Sequence, residues 1–192
     1  HFLLILSNIC MRIKSLLFIT AIIKGSLVLF AQAPAIKWQR TIGGNGNDSL
    51  ASITVTNDGG FIISGHSNSN ISGSKTQNSF GGFDYWVVKL NKNGKTQWNV
   101  TVGGSGIDRD AVIIPTYGGG YLLGGTSISD ASGTKTENAI NQSDDYWVIK
   151  LDKKGAIQWN NSFGGAQKEE LVAMGQEKKD QSFRVVGNSY TN

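Results

Sequence analysis

The chain has 192 residues, with 18 Lys and Arg against 14 Asp and Glu, a formal net charge of +4, 25 glycines, two prolines and a single cysteine, Cys10. One cysteine excludes both a disulfide framework and a thiolate metal site. The positive excess sits at the N-terminus, where Arg12, Lys14 and Lys24 stand without an acid. Residues 34–192 keep 15 of the 18 bases against 14 acids, so they offer no charge surplus for nucleic acid or an anionic membrane.

Residues 1–10 read as upstream read-through that precedes the true start and takes no part in the fold. Residues 11–33 read as a signal peptide, expected to be helical. Met11 opens it, Arg12 and Lys14 form the positive region, Leu16 to Phe30 is mostly apolar, and Ala31-Gln32-Ala33 is a small-x-small cleavage site. The uninterrupted apolar run from Leu16 to Ile23 falls short of the ~20 residues that span a bilayer, so cleavage is expected and no membrane span after it. A secreted or cell-surface protein follows. His66 is then the one imidazole left, which limits acid–base chemistry near neutral pH.

Residues 34–192 are a tandem repeat. The segment from Phe83 to Trp98 returns 61 residues later as Asp144 to Trp159, with 10 of 16 positions identical. Trp38, Trp98 and Trp159 open units 38–97, 98–158 and a truncated 159–192. A period of this size built from short strands and turns points to the blades of a propeller.

In the first unit the strand signals are Lys37 to Ile42, Ser49 to Thr56, Gly60 to Ser67 and Tyr85 to Leu90, each bounded by Gly, Asn, Asp or Ser. Along Tyr85 to Leu90, Trp86, Val88 and Leu90 take one face while Tyr85, Val87 and Lys89 take the other. Both faces are largely apolar, so the sheet must be covered on both, as stacked four-stranded blades would cover it. Asn57-Asp58-Gly59-Gly60 and Thr116-Tyr117-Gly118-Gly119-Gly120 supply residues that tolerate positive φ and predict tight hairpins. Asn91 to Gly94 and Asp152 to Gly155 predict a second hairpin into the next Trp strand, so that strand completes the preceding blade. The nearest approach to a helical pattern in residues 34–192 is Gln167 to Lys179.

Each unit carries a long polar loop, Asn68 to Asp84 and Ile128 to Asp145, in which Ser72-Gly73 with Lys75 matches Ser132-Gly133 with Lys135. Loops on a rigid scaffold are where binding usually sits. Lys75, Lys135, Asp84 and Asp145 are therefore the candidate ligand-binding residues. A repeated aspartate is equally a loop-closing acceptor, because reactive groups stand once while structural ones recur. Gly43-Gly44-Asn45-Gly46-Asn47-Asp48-Ser49-Leu50-Ala51 fits the calcium nonapeptide pattern G-G-x-G-x-D-x-U-x, with Asp48 and Asp108 as candidate metal ligands. That chemistry needs tandem nine-residue turns; the alternative is a glycine turn in which each aspartate accepts backbone N–H groups. Trp86 and Trp147 read as packing between blades, with sugar stacking as the alternative. No catalytic set assembles from these residues.

The combination of Trp, Gly-Gly-x-Gly-x-Asp, Asp-Gly-Gly-Phe and Asp-Tyr-Trp-Val-Val-Lys-Leu-Asn-x-x-Gly over residues 35–192 resembles the secreted bacterial β-propeller-like repeat proteins. The resemblance implies an all-β partial β-propeller of four-stranded antiparallel blades, about two and a half repeats of a longer protein. It also implies an association, common in that family, with a C-terminal sorting domain for type IX secretion. The Gly-to-Trp spacing of Asn91 to Trp98 is similar to quinoprotein propellers, but the units are about 20 residues longer, and no quinone cofactor is expected.

The expected function is an exported, non-enzymatic scaffold for surface binding or adhesion, without a cofactor, whose partner is a carbohydrate or a protein. Two rivals stand beside it. One is the N-terminal part of a secreted propeller enzyme acting on polysaccharide; the other is a calcium-stabilised adhesive repeat.

Overall fold

The structure, a computed structural model, describes residues 2–7 and 35–190. The expected signal segment, 11–33, lies outside the described residues. Twelve strands are present among them: β1 (Phe2–Ser7), β2 (Ile36–Ile42), β3 (Asp48–Val55), β4 (Phe61–Ser67), β5 (Asp84–Leu90), β6 (Thr96–Val102), β7 (Asp108–Pro115), β8 (Tyr121–Ser127), β9 (Asp145–Leu151), β10 (Ile157–Phe163), β11 (Glu169–Gln176) and β12 (Phe183–Ser189). A single 3₁₀ turn at Ile140–Gln142 is the one helical element in the described part. No helix of the described residues is long and apolar enough to cross a membrane.

The strands form two four-stranded antiparallel sheets of the same order, β3-β4-β5-β6 and β7-β8-β9-β10, flanked by two-stranded sheets β1-β2 and β11-β12. The expected strands of the first unit are all present, with boundaries shifted by a residue. The Trp strand belongs to the sheet before it: β6 pairs with β5 through Val88↔Asn99 and Lys89↔Trp98, and β10 pairs with β9. Each four-stranded sheet is thus completed by the strand that opens the next sequence unit. Phe2–Ser7, expected to play no part in the fold, pairs antiparallel with β2, as β5 pairs with β6. The 167–179 segment, nearest to a helical pattern, is mostly strand β11, held by its hairpin with β12.

Two turn types set the register. In the β3–β4 hairpin, Gly59 N–H donates to the Thr56 carbonyl at 2.8 Å, and Gly59 alone of its turn has positive φ, 74°. The β7–β8 turn uses two, Gly119 at 87° and Gly120 at 73°. Between β5 and β6 the positive φ falls on Gly94, and between β9 and β10 on Gly155.

Apolar cores lie between successive sheets. All seven residues of β5 are buried, which is why both of its faces are apolar in sequence. Trp86, Val88 and Leu90 pack with Ile42, Phe61 and Ile63 on the side of β2. Tyr85 and Val87 pack on the other side with Ile113, Leu123, Trp147 and Ile149 of the next sheet. Leu122 and Val148 continue the pattern against Leu171, with Met174 and Val185 around them. A fully buried side chain of this size contributes about 1.5–3 kcal/mol, so the stability of each sheet depends on its neighbours.

The same aromatic pair recurs at every junction. Trp38 of β2 meets Phe61 of β4 at 5.8 Å, Trp98 of β6 meets Tyr121 of β8 at 5.9 Å, and Trp159 of β10 meets Phe183 of β12 at 6.0 Å. A neighbouring hairpin glycine lies flat on two of these indoles. A Cβ on Gly94 would stand 2.7 Å from Trp38, and one on Gly155 would stand 2.9 Å from Trp98. Polar links cross the junction between the two four-stranded sheets: Thr54 Oγ1 donates to the Ile113 carbonyl at 3.2 Å, and Asp108 N–H to the Phe83 carbonyl at 2.6 Å.

Candidate functional site

At one end of the sheets, the long polar loops fold back onto the strand ends. Lys75 is buried at 2 % exposure; its ammonium donates to Ser67 Oγ at 3.2 Å and Ser79 Oγ at 2.9 Å. Lys135 repeats the arrangement, donating to Ser127 Oγ and the Ser129 carbonyl, both at 2.8 Å, and it lies 5.5 Å from the Trp147 ring centre. Burial pulls both amines below their usual value, and neighbouring carboxylates counter it: Asp84 and Asp48 for Lys75, Asp108 and Asp145 for Lys135.

Asp84 and Asp145 have no exposed surface. Asp84 Oδ2 accepts the Phe80 N–H, and Asp145 Oδ2 accepts the Ile140 N–H, each at 2.6 Å. The other carboxylate oxygen of each has no hydrogen-bond partner and faces a glycine: a Cβ on Gly103 or Gly164 would stand 2.0 Å from it. Burial, with the Asp108 charge adding to it, raises the Asp84 carboxyl to about 6; burial also raises Asp145 and Asp108. Each long loop thus holds one of the candidate lysines and one of the candidate aspartates, and all four are buried.

Asp48 and Asp108 cap the glycine turns. Asp48 accepts the Gly44 N–H at 2.8 Å and the hydroxyls of Ser67 and Ser69 at 2.6 and 3.0 Å. Asp108 accepts the Gly104 N–H at 2.8 Å and the Ser129 hydroxyl at 3.1 Å. Donor hydrogens thus point at these carboxylates, as the glycine-turn alternative requires, while Asp108 Oδ1 has no hydrogen-bond partner. Among the described residues, no three His, Cys, Asp or Glu side chains are grouped to hold a metal ion.

Glu169 performs the same capping role in the third repeat and was not among the candidate residues. Its carboxylate accepts the Gly165 N–H at 3.0 Å and the Ser189 hydroxyl at 3.1 Å. The signal was available: an acid stands four residues after the second glycine in all three copies, and the longer side chain hides the equivalence. Asn99 and Asn160 were also missed, although each directly follows a repeated Trp. Asn99 Oδ1 accepts the Trp86 indole N–H at 3.1 Å and the Thr76 hydroxyl at 3.1 Å. Asn160 does so for Trp147, at 3.0 Å, and Thr136, at 3.1 Å. Both Trp side chains are buried, as packing between sheets requires.

The opposite end, where the short hairpins lie, holds a recess of about 500 Å³ between the β3–β4 and β7–β8 turns. Asp58, Lys89, Gln97, Trp98, Tyr117 and Tyr121 line it. Lys89 is buried and pairs with Asp58 at 2.9 Å. The Thr56 hydroxyl and then the Lys89 ammonium hold the Asp58 carboxyl far below the usual carboxylate range. His66 lies elsewhere, edge-on to Phe83 at 5.2 Å, and burial lowers its pKa.

No protein-family model and no curated protein matches this chain.

Proposed function

We propose that residues 35–190 are part of a propeller-like repeat scaffold, exported and serving surface binding or adhesion. The observation that carries this reading is the recurrence of one sheet-to-sheet junction three times, with the pairs Trp38–Phe61, Trp98–Tyr121 and Trp159–Phe183 at 5.8, 5.9 and 6.0 Å. Face-to-face stacking of equivalent four-stranded antiparallel sheets, each completed by the next unit's first strand, is the construction of propeller blades. The buried Lys75, Lys135, Asp84 and Asp145 anchor the long loops to the strand ends, which favours a rigid loop surface. Rigid loops lose little entropy when a ligand binds, which favours recognition.

Retention of the purified protein on insoluble polysaccharides and on intact cell surfaces tests this reading. Saturable retention with the polymer left intact supports the scaffold. Release of soluble sugar from the polymer overturns it in favour of a polysaccharide-degrading enzyme.

A further inference from the structure

We propose that the recess between the β3–β4 and β7–β8 turns binds one neutral pyranose unit of a glycan. The inference rests on the scaffold reading, and it moves the contact surface from the long loops to the opposite end of the sheets.

A sugar ring needs an apolar face to stack on and fixed donors and acceptors at its rim. A volume of about 500 Å³ accommodates one ring with part of a second. Tyr117 is 59 % exposed and projects from the β7–β8 turn, while Trp98 and Tyr121 form the wall between the sheets. The hydroxyl-recognising groups are set by Lys89. Its ammonium donates to Asp58 Oδ2 at 2.9 Å, to the Leu90 carbonyl at 3.0 Å and to Gln97 Oε1 at 3.0 Å. An ammonium has three donors, so Lys89 is fully engaged and offers none to a ligand. Because Gln97 accepts through Oε1, its amide nitrogen is oriented as a donor. Asp58 Oδ1 takes the Thr56 hydroxyl, the Gly60 N–H and Lys89, whereas Oδ2 takes Lys89 alone. An ionised acceptor with spare lone pairs and an amide donor thus share one anchor, the pattern that pairs with neighbouring hydroxyls. The Lys89–Asp58 pair is internally neutral, and the further charged side chain on the lining, Lys153, is exposed at its rim, so the inner part of the recess suits an uncharged ring.

Repetition separates this arrangement from plain structure. Lys89 and Gln97 recur as Lys150 and Gln158, whose amine and amide also meet, at 3.3 Å. Tyr117 does not recur, since Asn57 stands in its place in the first repeat; Asp58 gives way to Gly118 in the second repeat but returns as Asp180 in the β11–β12 turn, where it accepts the Ser182 N–H at 3.0 Å as Asp58 accepts the Gly60 N–H. The single-copy Tyr117 and Asp58 come from different repeats and line the same recess.

The test is an NMR titration of the purified protein, following the Trp98 indole and the Gln97 amide. The probes are methyl β-glucoside, methyl β-galactoside, N-acetylglucosamine and cellobiose. We expect saturable shifts at both groups with at least one probe, with affinity on the order of millimolar. Tyr117→Ala, an exposed position, should weaken binding about tenfold, as should Asp58→Asn. Ile71→Ala, in the long loop, should leave binding unchanged. Absence of saturable shifts with every probe overturns the inference. So does sugar binding that Ile71→Ala weakens and Tyr117→Ala does not, which would leave the scaffold reading intact with its contacts in the loops. Cleavage of cellobiose would instead overturn the scaffold reading itself.

Discussion

Trp98 and Tyr121 belong to different sheets, yet their ring centres stand 5.9 Å apart at an interplanar angle of 60°. Trp98 sits on the last strand of one sheet and Tyr121 on the second strand of the next, with Gly155 against the six-membered ring of the indole. One side chain therefore couples two sheets that share no strand.

Truncating that link should be costly. Trp98→Ala is expected to lower the unfolding free energy by about 2–4 kcal/mol, at or below the usual range for Trp truncation because Trp98 is only partly buried. Gly155→Ala should also destabilise, by about 1–2 kcal/mol, since it adds a side chain at φ 87° and 2.9 Å from the indole. Urea unfolding followed by tryptophan fluorescence measures both.

The loop lysines should behave as structural charges. Lys135→Met keeps the bulk of the side chain but removes the donor to Ser127 Oγ and the Ser129 carbonyl and the positive charge near Asp108 and Asp145, which is expected to cost about 1–3 kcal/mol. Lys153→Met, at an exposed position, should change stability by less than about 0.5 kcal/mol. Thermal and urea melts of the two variants against wild type give the comparison.

Asp84 sets a pH dependence with a definite sign. Its carboxyl is raised from 3.8 to about 6 in the folded state, so between those values the folded protein holds a proton that the unfolded chain has released. The stabilisation is complete below about pH 3.8 and is lost as pH rises through about 6; by linkage it amounts to about 3 kcal/mol. Asp84→Asn can keep the bond from Phe80 N–H without that titration. The variant should gain stability relative to wild type as pH rises from 4 to 7, and urea melts across that range check it.

The glycine-turn aspartates should act without calcium. Asp108→Ala removes the acceptor of Gly104 N–H and of the Ser129 hydroxyl and is expected to cost about 2–4 kcal/mol, equally with calcium or with chelator. A melting temperature of wild type that rises on adding calcium, and fails to rise in Asp108→Ala, would instead assign these aspartates a calcium-binding role.

Much of this architecture was legible because it is repeated. The two-faced apolarity of Tyr85 to Leu90 announced a strand covered on both sides, and the hairpin glycines at 94 and 155 announced that each Trp strand joins the preceding sheet. Glu169 was hidden because one extra methylene broke the motif while preserving the contact. The direction of Lys75 and Lys135 could not be read either: a lysine in a polar loop reads as exposed, and only the fold shows the serine hydroxyls and carboxylates that receive it inside. The recess at Asp58 and Tyr117 was illegible for a further reason. Its two distinctive residues lie 59 positions apart in different repeats, and stacking of the sheets brings them together.

The most direct test of the architecture is the pattern of nuclear Overhauser contacts made by the Trp98 strand. Cross-strand contacts between Val88 and Asn99, which pair in β5–β6, are expected together with ring contacts between Trp98 and Tyr121 of the following sheet. Backbone pairing of β6 with β7 or β8, in place of β5, would contradict it.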